Sequence, residues 1–95
     1  MIMPVGICYL QFQIVSSDSL KDKRRVVKSL KDRLKNRFNV SIAEMGCLNT
    51  FRMGELGFAC ISNDRAYLEG MMSGVIRMVE GDTRIVLTDI HTEIV

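Results

Sequence analysis

Residues 5–14, VGICYLQFQI, alternate, with Cys8, Leu10, Phe12 and Ile14 on one side and Tyr9, Gln11 and Gln13 on the other. A period of two is that of a β-strand with one dry and one polar face. The cluster Ser16-Ser17-Asp18-Ser19 breaks the pattern. Ser19-Leu20-Lys21-Asp22 then has the spacing of a capping box, in which hydroxyl and carboxylate satisfy orphan amides at a helix start. From Leu20 to Arg37 the period changes. Leu20, Val26, Val27, Leu30 and Leu34, with Phe38 just beyond, fall within an arc of about 120° at 100° per residue, one buried helical stripe. Asn39 ends this helix, and VSIAEM (40–45) reads as a second strand. GCLNTFRMG (46–54) has no period and reads as a loop or hairpin connection. ELGFACIS (55–62) is apolar at nearly every position, which predicts a central strand.

Asn63-Asp64 supplies a cap for a second helix over 64–80, with Ala66, Tyr67, Met71, Met72, Val75, Ile76 and Val79 as its apolar set. Gly70 and Gly74 each weaken that helix by about 1 kcal/mol relative to alanine unless close packing needs them, and their spacing is expected to let the helix approach the sheet. Gly81-Asp82 stops it, and the β-branched run RIVLTDIHTEIV (84–95) predicts a fourth strand. The order β-α-β-β-α-β is that of two interleaved right-handed β-α-β units. The expectation is an α+β, ferredoxin-like βαββαβ sandwich, a four-stranded antiparallel sheet with two helices on one face and the other face open. Ninety-five residues suit one domain spanning 1–95.

Composition narrows the class. With 47% hydrophobic and 25% charged residues, the chain is neither disordered nor fibrous. No apolar run reaches the length of a membrane span. MIMPVGICYLQFQ lacks the charged and small-residue regions of a signal peptide, so the cytoplasm is the expected compartment. Cys8, Cys47 and Cys60 are odd in number and form no C-x-x-C pair, and His91 is the single histidine, so no metal or other cofactor is expected. Cys8 and Cys60 lie in apolar strands as small hydrophobes, whereas Cys47 lies in the loop and is more open. Most of the seven methionines are expected to fill the core.

The net charge of +2 conceals its distribution. Positions 20–37 hold nine of the thirteen basic residues against only Asp22 and Asp32, a net of +7, and the remainder holds four basic and nine acidic residues, a net of −5. Such asymmetry points to a partner, usually nucleic acid or another anionic surface. Lys21, Arg24, Lys28, Lys31 and Lys35 recur at three- and four-residue steps as a ridge about 80° wide, with Arg25 beside it. Like charges so spaced repel by a few tenths of a kcal/mol each, a cost that phosphate contacts would reverse through counterion release. A solvated basic face and a protein partner are the competing readings. Basic residues also suit a helix C-terminus, and the stems of Arg33 and Arg37 can cover core. Lys23 projects into the apolar arc, where it either snorkels outward or pairs with a carboxylate of a neighbouring element.

Known chemical motifs are absent. There is neither a Walker A sequence nor G-x-G-x-x-G, and Gly54-Glu55-Leu56-Gly57 runs into a strand where a G-x-x-G clamp needs two helices. An RNA-recognition motif would stack bases on its sheet, but Gly54, Leu56 and Ile61 stand where a basic residue and two aromatics are required. Acylphosphatase-type enzymes share this length and order, yet IVSSDSL replaces their Gly-rich phosphate loop. His91 has no evident acidic or serine partner, and no catalytic constellation is found.

Ser19-Leu20-Lys21-Asp22-Lys23-Arg24-Arg25, Leu34 to Glu44 and Leu56 to Asp64 together resemble the YlxP-like family of small bacterial proteins, a domain of unknown function. The resemblance covers nearly the whole chain. It implies a ferredoxin-like fold and an association with translation and ribosome maturation, and it implies no established activity. Where relatives carry acidic, His, Gln and Trp residues after the second strand, this chain has Gly46-Cys47-Leu48-Asn49-Thr50-Phe51. Two functions are therefore expected candidates. One is an RNA- or ribosome-associated factor using Lys21, Arg24, Arg25, Lys28, Lys31 and Lys35. The other is a homodimer or other protein-interaction module using Tyr9, Gln11 and Gln13 on the open sheet face.

Overall fold

The computed structural model describes residues 3–95. Its elements are β1 (Val5–Ile14), α1 (Leu20–Arg37), β2 (Ser41–Gly46), β3 (Met53–Ile61), α2 (Arg65–Glu80) and β4 (Ile85–Ile94). The sheet order is β2-β3-β1-β4, and every neighbouring pair is antiparallel. The apolar strand β3 is indeed interior, although it begins at Met53, so the connection after β2 is shorter than the loss of periodicity implied.

Alternation in β1 sets the layer. Cys8, Leu10 and Phe12 are fully buried and pair with Phe58, Leu56 and Gly54 of β3. A Cβ on Gly54 would stand 2.6 Å from Cε2 of Phe12, so the ring occupies the space that a side chain would need. Val27, Leu30 and Leu34 of α1 and Met72, Val75 and Val79 of α2 complete the core on that same face. Burying such side chains is the main favourable term, about 1.5–3 kcal/mol for each large one.

Helix ends follow the local chemistry with one change. Ser19 Oγ accepts from the Asp22 amide at 3.1 Å, but the Asp22 carboxylate accepts from the Asp18 amide, one residue before the cap. Asp64 accepts from the amides of Ala66 and Tyr67 and starts α2. That cap leaves Ala66 and Tyr67 exposed in the first turn, and Leu68 is the residue fully buried. The buried stripe of α2 is thus Leu68, Met71, Met72, Val75 and Val79, a phase set by packing onto the sheet. The glycines of α2 also serve differently from the expectation. A Cβ on Gly74 would meet the Phe38 ring at the end of α1 at 3.0 Å, while Gly70 faces open space. Of the methionines, most of them expected to fill the core, Met45 is 60% exposed.

Candidate nucleic-acid interface

The α1 helix presents its basic ridge to solvent, to one side of the stripe Val27, Leu30 and Leu34 that it buries in the core. Lys21, Arg24, Arg25, Lys28 and Lys35 are exposed and Lys31 is half-buried, so the tertiary fold masks none of the six. From Lys21 to Lys35 the ridge runs about 21 Å at 1.5 Å per residue. Among the described residues, only Lys28 of the ridge has a carboxylate partner, Asp32 at 2.9 Å. The Asp32 carboxyl is held below its ordinary range by that hydrogen bond first, and by the charges of Lys28, Lys31 and Lys35. The last two act through space, so the ridge behaves as a collective positive field.

Two basic residues of α1 outside the ridge make structural contacts. Lys23 is 1% exposed; its Nζ donates to the Cys47 carbonyl and stands 3.4 Å from Glu44 Oε1 on β2. The pairing alternative for Lys23 is therefore the one realised. Arg33 donates from Nη1 to the buried Asp82 carboxylate at 3.2 Å. The loop that receives Lys23 carries Cys47 at φ 59, the left-handed region that favours glycine. The Cys47 Sγ donates to Glu55 Oε1 at 3.3 Å. Burial and then Glu55 push this half-buried thiol above its ordinary range, which makes it a poor nucleophile. Cys8 and Cys60 are buried, and burial pushes the Cys8 thiol up to about 11.

The opposite side of the sheet carries Tyr9, Gln11 and Gln13 of β1, as the alternation requires, and neither helix covers it. Gln11 pairs in register with Glu55 and Asp89, and Ile7 with Glu93, which gathers acids on this face. Beside them, over β1, β3 and β2, lies an apolar depression of about 350 Å³ bordered by Ile7, Tyr9, Ala43, Met45, Gly57 and Ala59. Ile7 is 39% and Met45 60% exposed. Sequence reading assigned this face only its polar members. Ile7 and Met45 were discoverable from strand parity, but helical or strand apolar residues are ordinarily taken for core.

The outer face of α1 is thus basic, and the open sheet face carries acids beside an apolar depression. His91 is exposed on β4, with Nε2 3.8 Å from Glu93 Oε2 and no nucleophile in hydrogen-bond contact among the described residues. No cluster of three or more metal-ligating side chains occurs among the described residues, and no helix there is long and apolar enough to cross a membrane.

Comparison with known proteins agrees with this architecture. The solved structure of the de novo designed protein Foldit4 superposes with a TM-score of 0.54 at 15% identity, covering 97% of each chain. A dimeric ferredoxin-like protein from an uncultured marine organism gives 0.50 at 12% identity, covering 97% of this chain and 95% of that one. Likeness at such identities shows the fold, here ferredoxin-like. In sequence, the chain is 33% identical over 89 residues to the uncharacterized protein YlxP of Bacillus subtilis (strain 168), covering 94% of this chain and 97% of that protein. Residues 5–92 match the family described as "Protein of unknown function (DUF503)", and with both matches spanning nearly its whole length, the chain belongs to that family.

Proposed function

We propose that this protein is an RNA- or ribosome-associated accessory factor that lies along sugar-phosphate backbone through α1. The observation that carries this reading is the ridge Lys21, Arg24, Lys28, Lys31 and Lys35, flanked by Arg25, of which only Lys28 has a carboxylate partner among the described residues. A folded protein gains nothing from such mutual repulsion unless an anion relieves it. Glu55, Asp89 and Glu93 lie on the far side of the sheet, so their charge favours approach of a polyanion from the side of α1. Contact through a helix ridge reads charge and spacing rather than base edges, so binding is weakly sequence-specific and salt-sensitive. If about four phosphates are neutralised, the log–log salt slope is near −3. The test is titration of a labelled structured RNA at two salt concentrations, against wild type and a K28E/K31E/K35E variant. Loss of affinity in the variant, with the expected slope, supports the reading. Absence of binding at low salt, or unchanged affinity in the variant, overturns it.

A second reading rests on the apolar depression bordered by Ile7, Tyr9 and Met45, a surface that a second copy could cover. Tyr9, Gln11 and Gln13 would then form part of a homodimer interface. One solved protein of this fold is described as dimeric. Sedimentation velocity decides the point: a dimer dissociated by Ile7→Lys is the expected result, and a monomer at high concentration removes this reading. Dimerisation would leave both basic ridges outward, so the two functions are compatible.

A further inference from the structure

A second cationic surface lies half a turn round α1 from the ridge. At 100° per residue, Arg33 and Arg37 project roughly 180° from the mean direction of Lys21 to Lys35, toward α2. There they border a cavity of about 440 Å³ together with Arg77 of α2. An adjoining cavity of about 330 Å³ shares Arg37, Phe38 and Gly70 with the first and is bounded at its other end by Tyr67. The two form one groove between the helices, lined by three arginines and two aromatic rings.

The lining has the chemistry of a site. No acidic residue borders either cavity. Arg33 spends one N–H on Asp82 and keeps others free, since its side chain is 51% exposed. Among the described residues, Arg37 and Arg77 have no carboxylate within 4.0 Å. Three guanidinium groups around one cavity repel each other, a repulsion that an anion seated among them would relieve. Tyr67 is 56% exposed beside them, and Phe38 lies half-buried with the Arg37 guanidinium 6.0 Å from its ring centroid. Gly70 lines the groove with open space before it, since a Cβ there would meet nothing within 4 Å.

We propose that this groove binds a short unpaired segment of RNA, a phosphate among Arg33, Arg37 and Arg77 and a base against Tyr67 and Phe38; the proposal rests on the nucleic-acid reading above and gives it a second, single-strand-selective site. Planar aromatic and guanidinium surfaces beside a phosphate-binding pocket suit a base splayed from its stack. An acidic peptide would use the arginines and leave the exposed Tyr67 without a role. A duplex holds its bases inside and can engage only the ridge.

The test is fluorescence anisotropy with a labelled five-nucleotide single strand, a twelve-base-pair duplex RNA and a penta-glutamate peptide. The proteins are wild type, G70M, R37Q/R77Q, Y67A, Y67F and the ridge variant K28Q/K31Q/K35Q. G70M fills the groove without altering charge, and methionine is a better helix former than glycine, so the variant folds. Pentanucleotide affinity is expected to fall about tenfold in G70M, R37Q/R77Q and Y67A and to be retained in Y67F, and in the ridge variant to fall less than duplex affinity does. Duplex affinity is expected to fall only in the ridge variant. Wild-type pentanucleotide affinity in G70M overturns the groove, as does glutamate peptide binding as tight as the RNA. Duplex binding that depends on the ridge, with no pentanucleotide binding, overturns the groove and leaves the ridge reading intact. Groove-dependent pentanucleotide binding with duplex binding indifferent to the ridge does the reverse.

Discussion

Arg33 of α1 donates to Asp82, the second residue beyond α2, at 3.2 Å, and so fastens the first helix to the end of the second. Arg84 completes the arrangement, with its backbone amide, Nε and Nη2 at 2.7–3.0 Å from the same carboxylate. The Arg84 hydrogen bonds hold the Asp82 carboxyl below its ordinary range against the opposing effect of burial. A carboxyl depressed in the folded state contributes stability above the unfolded value near 3.9, and that contribution is lost as pH falls through its folded value. Stability is therefore expected to be level near neutrality and to decline below about pH 4. Asp82→Asn is expected to cost about 2 kcal/mol at pH 7 and to flatten the acid-side decline. Urea denaturation across pH 2.5–7 measures both. A variant with the wild-type acid profile would remove Asp82 from this role.

Lys23 is the basic residue that α1 cannot lose. Its ammonium satisfies the Cys47 carbonyl and faces Glu44, which is itself partly hydrated. Lys23→Ala removes the buried stem and leaves both oxygens without their partner, for an expected loss of about 3 kcal/mol. Lys23→Met keeps the stem and is expected to cost about half as much. Chemical denaturation separates the two: equal costs would show that only the ammonium contacts matter, and a cost-free Lys23→Met would show that only packing does.

Gly54 of β3 and Gly70 of α2 are expected to answer alanine substitution with opposite signs. Gly70→Ala gains about 0.5–1 kcal/mol, because the helix interior favours alanine and the added Cβ meets nothing. Gly54→Ala places its Cβ 2.6 Å from the buried Phe12 ring and is expected to lose about 1–3 kcal/mol. Thermal melts of the two variants provide the comparison.

Thiol labelling is expected to be ordered by burial. Cys47 alkylates first, slowly at pH 7 and faster as pH rises, because its thiol is raised by burial and by Glu55. Glu55→Gln removes the negative neighbour and is expected to speed Cys47 labelling at pH 8. Cys8, pushed up to about 11, and Cys60 react only on unfolding. Mass spectrometry after timed alkylation reads the order; early labelling of Cys8 would contradict the packing.

Much of the fold was legible because its signals are local. The alternation of Cys8, Leu10 and Phe12 and the arc of Val27, Leu30 and Leu34 reproduce the buried faces observed, and Ser19 and Asp64 cap where their side chains predict. The phase of α2 was less legible. Ala66 and Tyr67 resemble core members by type, yet the cap at Asp64 leaves them exposed in the first turn, and Leu68 carries the contact. The short connection after β2 was hidden because Met53 and Gly54 pair with Gln13 and Phe12, and pairing partners are not written in local composition.

The sequence alone determined the element order, the dry face of β1 and the concentration of nine basic residues on one helix, since hydrophobic period and charge are properties of neighbouring residues. Only the tertiary structure decided how that charge is used. It turned Lys23 inward to β2, gave Arg33 to Asp82, and left the ridge from Lys21 to Lys35 with Lys28 as its single carboxylate-paired member among the described residues. It also set Arg77 and Tyr67 of α2 beside Arg37, residues 30 or more positions apart that no periodicity connects. An ion pair or a groove depends on distance in space, and that distance is fixed only when the helices settle on the sheet.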